Sequence, residues 1–317
     1  MNVKSFLRLV ELPTKVASML PFLLGTLYAL YRFEDFNVLR FVLMLVSLLS
    51  FDMATTAINN YYDFKKAAKT QGYGYETHNA IVHYKLKERT VVATIVLLLV
   101  LAVGGGIALV AETGLLVFLL GGLSFLIGIL YSFGPIPISR MPLGELFSGL
   151  FMGFVIIFIS AYIHSDHSVV TLLLSEGWIS LHVNMREVLY LFWFSVPSIL
   201  GIAGIMLANN ICDIEDDMEN RRYTLPVYIG RGNALLLFKL LYYVSFADLA
   251  VLLLLGVNPV LVALLLLTLI PLRRNIARFY EKQEKAATFI LSVKNFVLMS
   301  AARIGVLGAA VLLNALL

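Results

Sequence analysis

The stretch TVVATIVLLLVLAVGGGIALV at residues 90–110 decides the fold class. It carries no charge, and a helix of its length crosses the roughly 30 Å hydrocarbon core of a bilayer. Comparable runs recur along the chain. They predict spans near 15–33, 38–60, 90–110, 115–133, 143–163, 187–211, 233–255, 257–274 and 289–315. Backbone groups in lipid must pair within their own segment, and the runs lack the alternation of barrel strands. Each is therefore read as a helix, in an all-α integral membrane protein of nine transmembrane helices. No small-residue cleavage site follows the first run, so it is not read as a secretory signal.

Composition agrees. Of 317 residues, 60% are apolar and 14% charged, against about 45–50% and about 25% in soluble domains. Mean hydropathy is +0.89. These values exclude a soluble enzyme, a disordered tail and a small disulfide-stapled domain. Cys212 is the single cysteine and has no internal partner for a disulfide. No Gly-rich phosphate loop, GxSxG turn, Cys–His nucleophile or nucleic-acid motif is present. The bilayer is an expected partner, and nucleic acid is not.

The 24 Lys and Arg exceed the 20 Asp and Glu by a small margin, and their placement matters more than their number. Most fall at the N-terminus (Lys4, Arg8, Lys15) and in alternate connections. Those connections hold Lys65, Lys66, Lys69, Lys85, Lys87 and Arg89; Arg140; Arg221, Arg222 and Arg231; and the basic run from Arg273 to Lys285. The opposite connections hold only Arg32, Arg40 and Arg186. The positive-inside rule then predicts a cytoplasmic N-terminus, cytoplasmic basic loops and an outside C-terminus. Most of these basic residues need no reading beyond topology, and the Arg273–Lys285 connection is read as a solvated basic face.

Two polar clusters stand out. Asn59-Asn60-Tyr61-Tyr62-Asp63 follows the second run, and Asn209-Asn210-Ile211-Cys212-Asp213 follows the sixth. Both read Asn-Asn-x-x-Asp at the same end of a span. They are separated by an even number of spans, as in a parallel repeat. Asn59 with Asp63, and Asn209 with Asp213, are spaced i, i+4 and share a helix face. Asp217 extends the second face by one turn, while Glu215 and Asp216 fall off it. Carboxylate and amide oxygens are hard ligands suited to Mg²⁺, which takes one or two carboxylates and completes its shell with substrate phosphates. Facing clusters of this kind would hold a diphosphate through magnesium. The neighbouring Lys65, Lys66, Lys69, Arg221 and Arg222 suit an anionic substrate. His78 and His83 have no metal-ligand spacing and are read as loop residues. Tyr131 precedes the proline-broken turn Gly134-Pro135-Ile136-Pro137, as either a cavity residue or an interfacial aromatic.

At these residues the chain resembles the UbiA superfamily of intramembrane prenyltransferases, and within it the MenA branch of 1,4-dihydroxy-2-naphthoate polyprenyltransferases. The stretches that carry the resemblance are NNYYDFKKAAKT at 59–70, YSFGPIPISRMPLGELF at 131–147, NNICDIEDDMENRRYTLPVYIGR at 209–231 and ELPTKVASMLPFLLGT at 11–26. The first motif departs from the family's NDxxDxxxGxD pattern. Asn60 stands where Asp is usual, Ala67 where Gly is common and Lys69 where a further Asp is expected. Fewer anionic ligands, a lysine replacing part of a cation's charge, or weak activity would each follow.

The resemblance implies one transmembrane prenyltransferase domain over 1–317, a UbiA-like bundle around a central cavity. It implies Mg²⁺-dependent transfer from a polyprenyl diphosphate to a small aromatic acceptor. For the MenA branch that acceptor is 1,4-dihydroxy-2-naphthoate, with loss of CO₂ and diphosphate in menaquinone biosynthesis. The expected roles are Asp63, Asp213 and Asp217 on magnesium, and Asn59, Asn60, Asn209 and Asn210 orienting metal, water or phosphate. Lys65, Lys69, Arg140 and Arg222 are expected on the diphosphate, and Tyr131 at the allylic cation or the acceptor ring. A quinone pathway and the charge pattern fit a bacterial plasma membrane. The alternatives are another aromatic acceptor on the same scaffold, a weakly active accessory homologue given Asn60 and Lys69, or a transporter. A transporter would place its polar groups near the bilayer midplane rather than at one face.

Overall fold

A computed structural model describes residues 1–66, 79–132, 137–175 and 177–316. Lys69, His78 and residues 133–136 of the proline turn lie outside the described residues. The helices are α1 Val3–Leu9, α2 Val16–Arg32, α3 Val38–Lys66, α4 Glu88–Thr113, α5 Leu115–Ser132, α6 Gly144–Tyr162, α7 Met185–Cys212, α8 Ile214–Glu219, α9 Leu225–Leu254, α10 Pro259–Glu281 and α11 Ile290–Leu316. Each predicted run carries a helix over most of its described residues. Among the described residues, seven helices are long and apolar enough to cross a membrane: α3, α4, α6, α7, α9, α10 and α11. The helices α2 and α5 are shorter, at 17 and 18 residues. Val92, Val96, Leu97 and Val100 form an uncovered apolar face on α4. A water-soluble protein rarely leaves such a face open, whereas lipid covers it at no cost.

One element departs from the all-helical expectation. β1 Val170–Ser175 and β2 Trp178–Val183 form an antiparallel hairpin, in register from Val170 opposite Val183 to Ser175 opposite Trp178. Gly177 turns it at φ +84°, a conformation that favours glycine.

The chain divides into two compact units, residues 1–19 with 42–129 and residues 20–41 with 130–317. In the first, the core under the C-terminal end of α3 joins Leu9, Ala57, Ala80, Ile81, Val91 and Ile95. It fixes the helix that carries Asn59 to Asp63.

In the second unit, α7 carries the other cluster, and its placement depends on close packing against α6. A Cβ built at Gly153 would lie 2.5 Å from the Ile199 amide nitrogen, and one at Gly149 would lie 2.7 Å from the Ile199 carbonyl oxygen. Small residues let helix backbones approach this closely. Residues Gly149–Val155 form a π-helical turn within α6. Replacing Gly153 by valine is expected to lower the thermal midpoint in detergent, an overpacking cost of about 1–3 kcal/mol. Gly121→Val is the control, because nothing lies within 4 Å of its built Cβ.

The same unit buries His164 against the paired rings of Phe36 and Phe41, with its Nδ1 accepting the Asn37 amide at 3.1 Å. Burial pushes its pKa down from 6.5 to about 4; Asp35 opposes that shift and Arg40 adds to it. The unfolded chain therefore binds this proton first as pH falls. The stability His164 contributes is complete above about pH 6.5 and is lost as pH falls towards 4. A pH series of thermal midpoints is expected to show a smaller loss over that window for His164→Asn than for the parent chain.

Candidate active site

The second cluster sits where α7 gives way to α8. Asp213 caps α7 with its amide on the Asn209 carbonyl at 3.2 Å, and the Asp217 amide reaches the Asp213 carbonyl at 2.7 Å. The i, i+4 ladder therefore runs through the joint, so Asn209, Asp213 and Asp217 share a face as their spacing predicts. The Asn209 amide donates to Asp213 Oδ2 at 3.4 Å. Glu215 and Asp216 are exposed.

The chain after α8 folds back on Asp217. Arg221 adopts φ +54°, and the Arg222 amide then donates to the Asp217 carbonyl at 2.8 Å. This left-handed stop satisfies the last carbonyls of the short helix. It brings the Thr224 hydroxyl to Asp217 Oδ2 at 3.0 Å and the Arg222 guanidinium to 3.9 Å from Oδ1. Burial raises the Asp217 pKa above the ordinary aspartate value, and the Thr224 hydrogen bond and Arg222 charge pull it back. Arg222 thus stands beside the carboxylate face. Arg140, on the turn Ile138–Arg140, is exposed.

Asn210 points elsewhere. It is buried, and its amide donates to Glu145 Oε1 on α6 at 2.8 Å. Among the described residues, Glu145 Oε2 and Tyr131 Oη are buried with no hydrogen-bond partner within 3.5 Å. Such atoms are costly to leave unpaired. They mark the Tyr131–Glu145 region as polar beyond what packing needs.

The first cluster belongs to the unit of residues 1–19 and 42–129. Asn59 and Asp63 are exposed on the last turns of α3. Asn60 turns inward: its side-chain amide donates to the Leu9 carbonyl at 2.9 Å and Glu11 Oε1 at 3.2 Å, and its backbone carbonyl accepts from the Asn79 side-chain amide at 2.8 Å. That is a structural clasp between α3 and the N-terminal segment, and its side-chain donor is committed there. Lys65 pairs with Glu88 at 2.6 Å, and the Tyr61 hydroxyl donates to the same carboxylate at 2.7 Å.

Two cations carry more than their sequence reading gave them. Lys285, in the connection expected to be a solvated basic face, donates to Asn209 Oδ1 at 2.5 Å and to Asp213 Oδ2. Lys15, taken for a topology marker, is buried. Its Nζ donates to Asp52 Oδ1 at 2.5 Å, the Asp52 carbonyl at 3.0 Å and Thr56 Oγ1 at 2.7 Å. Asp52 and Thr56 lie at helical spacing along α3 from Asn59 and Asp63, a signal visible in the sequence. Near the start of α11, Asn295 is buried with its Oδ1 accepting from Asn275 at 2.8 Å, and Lys294 is exposed.

The second cluster fits magnesium as an open site. Asp213, Asp217 and Asn209 offer hard oxygens on one face. Among the described residues no group of three or more His, Cys, Asp or Glu could hold a metal ion. Magnesium completes its octahedron with water and substrate phosphate, so it needs no closed protein cage.

The UbiA prenyltransferase family model matches residues 18–313. The chain belongs to the UbiA prenyltransferase family. It is therefore a prenyltransferase and an integral membrane protein. It is 34% identical over 236 residues to the 1,4-dihydroxy-2-naphthoate octaprenyltransferase of Bacillus subtilis (strain 168), covering 74% of this chain and 68% of that one. Solved UbiA homologues share the fold. The apo homologue from Aeropyrum pernix K1 has TM-score 0.62 at 22% identity, over 95% of this chain and 98% of that one. The homologue from Archaeoglobus fulgidus bound to GPP and Mg²⁺ has TM-score 0.64 at 18% identity, over 97% and 99%.

Proposed function

We propose that this UbiA-family enzyme transfers a polyprenyl group from polyprenyl diphosphate to 1,4-dihydroxy-2-naphthoate, using Mg²⁺ and releasing CO₂ and diphosphate. The observation that carries the chemistry is the shared face of Asn209, Asp213 and Asp217 with Arg222 and Lys285 beside it. Hard oxygens for a divalent cation and positive charge for a diphosphate stand in one place. The Bacillus subtilis relative supports the choice of acceptor, and the Archaeoglobus fulgidus homologue supports the cofactor.

In this reading Asp213 and Asp217 hold magnesium, directly or through water, and Asn209 orients that shell. When bound, magnesium neutralises charge on the departing diphosphate as the allylic C–O bond breaks. Arg222 and Arg140 grip phosphate oxygens, the first already placed beside Asp217. Asn210 is bonded to Glu145, away from the shared face, and would bear on the site only through that pair. Tyr131 faces the allylic cation or the acceptor ring, where an aromatic face stabilises positive charge. Asp63, with Asn59, Lys65 and Lys69, supplies the first motif. All nine helical runs span a bacterial plasma membrane as a single domain, with the N-terminus and basic loops cytoplasmic and the C-terminus outside.

The test is label transfer from polyprenyl diphosphate to 1,4-dihydroxy-2-naphthoate by the purified protein in liposomes. Magnesium-dependent label in a lipid quinol is the expected result. Transfer only to a different aromatic acceptor would replace the substrate and keep the reaction. A second reading, a weakly active accessory homologue, draws on the structural use of Asn60 and on Lys69 standing where the family has Asp. Lys69→Asp separates the two. A large gain in turnover supports the accessory reading, and a loss supports an adapted site.

A further inference from the structure

The Lys285 side chain binds two members of the proposed metal face at once. Its ammonium donates to Asn209 Oδ1 at 2.5 Å and to Asp213 Oδ2, and lies 5.8 Å from the centre of the Phe289 ring. The connection that carries it is built to present it: the Glu284 amide donates to the Thr288 hydroxyl at 2.8 Å, and the Thr288 and Phe289 amides return to the Glu284 carbonyl at 2.9 and 3.0 Å. Lys285 thus sits on a closed turn at the start of α11, 76 residues from Asn209 in sequence.

An ammonium and a magnesium ion compete for these oxygens. Magnesium needs ligand oxygens at about 2.0–2.1 Å and has a rigid octahedral shell. An ammonium hydrogen-bonded to the same two oxygens sets a like charge beside any cation they would hold and takes up part of their acceptor capacity. We propose that Lys285 is an exchangeable counter-cation of the second motif. It holds Asn209 and Asp213 in register, gives those oxygens up when a divalent cation binds, and then supplies positive charge to the diphosphate that arrives with the cation. The proposal rests on the reading of Asp213 as a divalent-cation ligand. It gives a role to the α10–α11 connection, which no motif in the sequence assigns to the site.

The experiment is a titration of the purified full chain in detergent with Mn²⁺, read by electron paramagnetic resonance without substrate. Four variants are compared with the parent: Lys285→Met, Lys282→Met, Asp213→Ala and Lys285→Met with Asp213→Ala. Lys282 makes the same charge change three residues away, where it pairs with Glu284 at 2.7 Å. At physiological salt a charge that does not compete directly is largely screened. Lys285→Met is expected to bind Mn²⁺ about two- to fivefold more tightly, the range set by losing one exposed ion pair, while Lys282→Met matches the parent. The gain is expected to vanish in the Asp213→Ala background. In the transfer assay Lys285→Met is expected to reach half-maximal rate at lower Mg²⁺ and to show a raised KM for the polyprenyl diphosphate. Equal Mn²⁺ affinity in Lys285→Met and parent, with Asp213→Ala impaired, overturns the role of Lys285. Unchanged Mn²⁺ binding in Asp213→Ala overturns instead the metal-ligand reading beneath it.

Discussion

Alanine at Asp213 is expected to lower Mg²⁺-dependent prenyl transfer by about two to three orders of magnitude, the scale of losing one preorganised stabiliser of transition-state charge. The effect should not be one of folding. Asp213 caps α7 through its backbone amide on Asn209, and alanine keeps that bond. Its carboxylate is partly exposed and serves two neighbours, Asn209 and Lys285. Asn is the sharper replacement, because it keeps the shape and an acceptor oxygen and removes only the charge. If the carboxylate binds a divalent cation, Asp213→Asn loses nearly as much as Asp213→Ala, and added Mg²⁺ recovers part of the rate. Asp216→Ala supplies the contrast. That residue is exposed three positions further on, off the shared face, and is expected to stay within about twofold of the parent, as surface changes usually do. A loss in Asp216→Ala as large as that in Asp213→Ala would break the assignment of the face.

The helices and the second cluster were legible because their signals are local. An uninterrupted apolar run and an i, i+4 spacing each belong to one segment, and Asn209, Asp213 and Asp217 stand as the spacing requires. The hairpin was half visible: Val170 to Val183 is rich in β-formers around Ser175-Glu176-Gly177, but its length does not separate it from a loop. What the sequence could not reveal depends on contacts between distant segments. Asn60 and Asn59 are adjacent letters in one motif, yet Asn60 faces Leu9 and Glu11 while Asn59 is exposed. Lys15 and Lys285 resemble any other positive-inside residue until Asp52 and Asp213 are found beside them. Charge placement is a signal carried by whole loops, and it is silent about a single ammonium that turns inward from one of them.

The largest stability effect is expected at Arg303, far from either motif in chemistry. Its guanidinium is fully buried and forks onto Asp248, Nε to Oδ2 at 2.6 Å and Nη2 to Oδ1 at 2.7 Å. Nη1 and Nη2 also reach the Met299 and Ser245 carbonyls at 3.1 and 3.4 Å, and the Phe246 ring lies 5.4 Å away. The pair ties α11 to α9 where the latter tightens into the 3₁₀ turn Ser245–Ala247. Arg303→Met leaves an uncompensated carboxylate among apolar helices and is expected to cost about 3–5 kcal/mol, read as a lowered thermal midpoint in detergent. Asp248→Leu strands the guanidinium and should cost as much. Removing both with Arg303→Met and Asp248→Leu removes the stranded charge, so the double variant is expected to recover most of the loss. Ionisable groups inside a membrane protein mark functional pathways by default, and a closed, fully bonded fork is the arrangement that escapes that rule. The discriminating measurement is turnover per folded molecule in the double variant. Parental turnover with recovered stability makes the fork a clamp between two helices. Recovered stability without turnover would instead bring Arg303 into the catalytic cycle and require a conformation in which the fork opens.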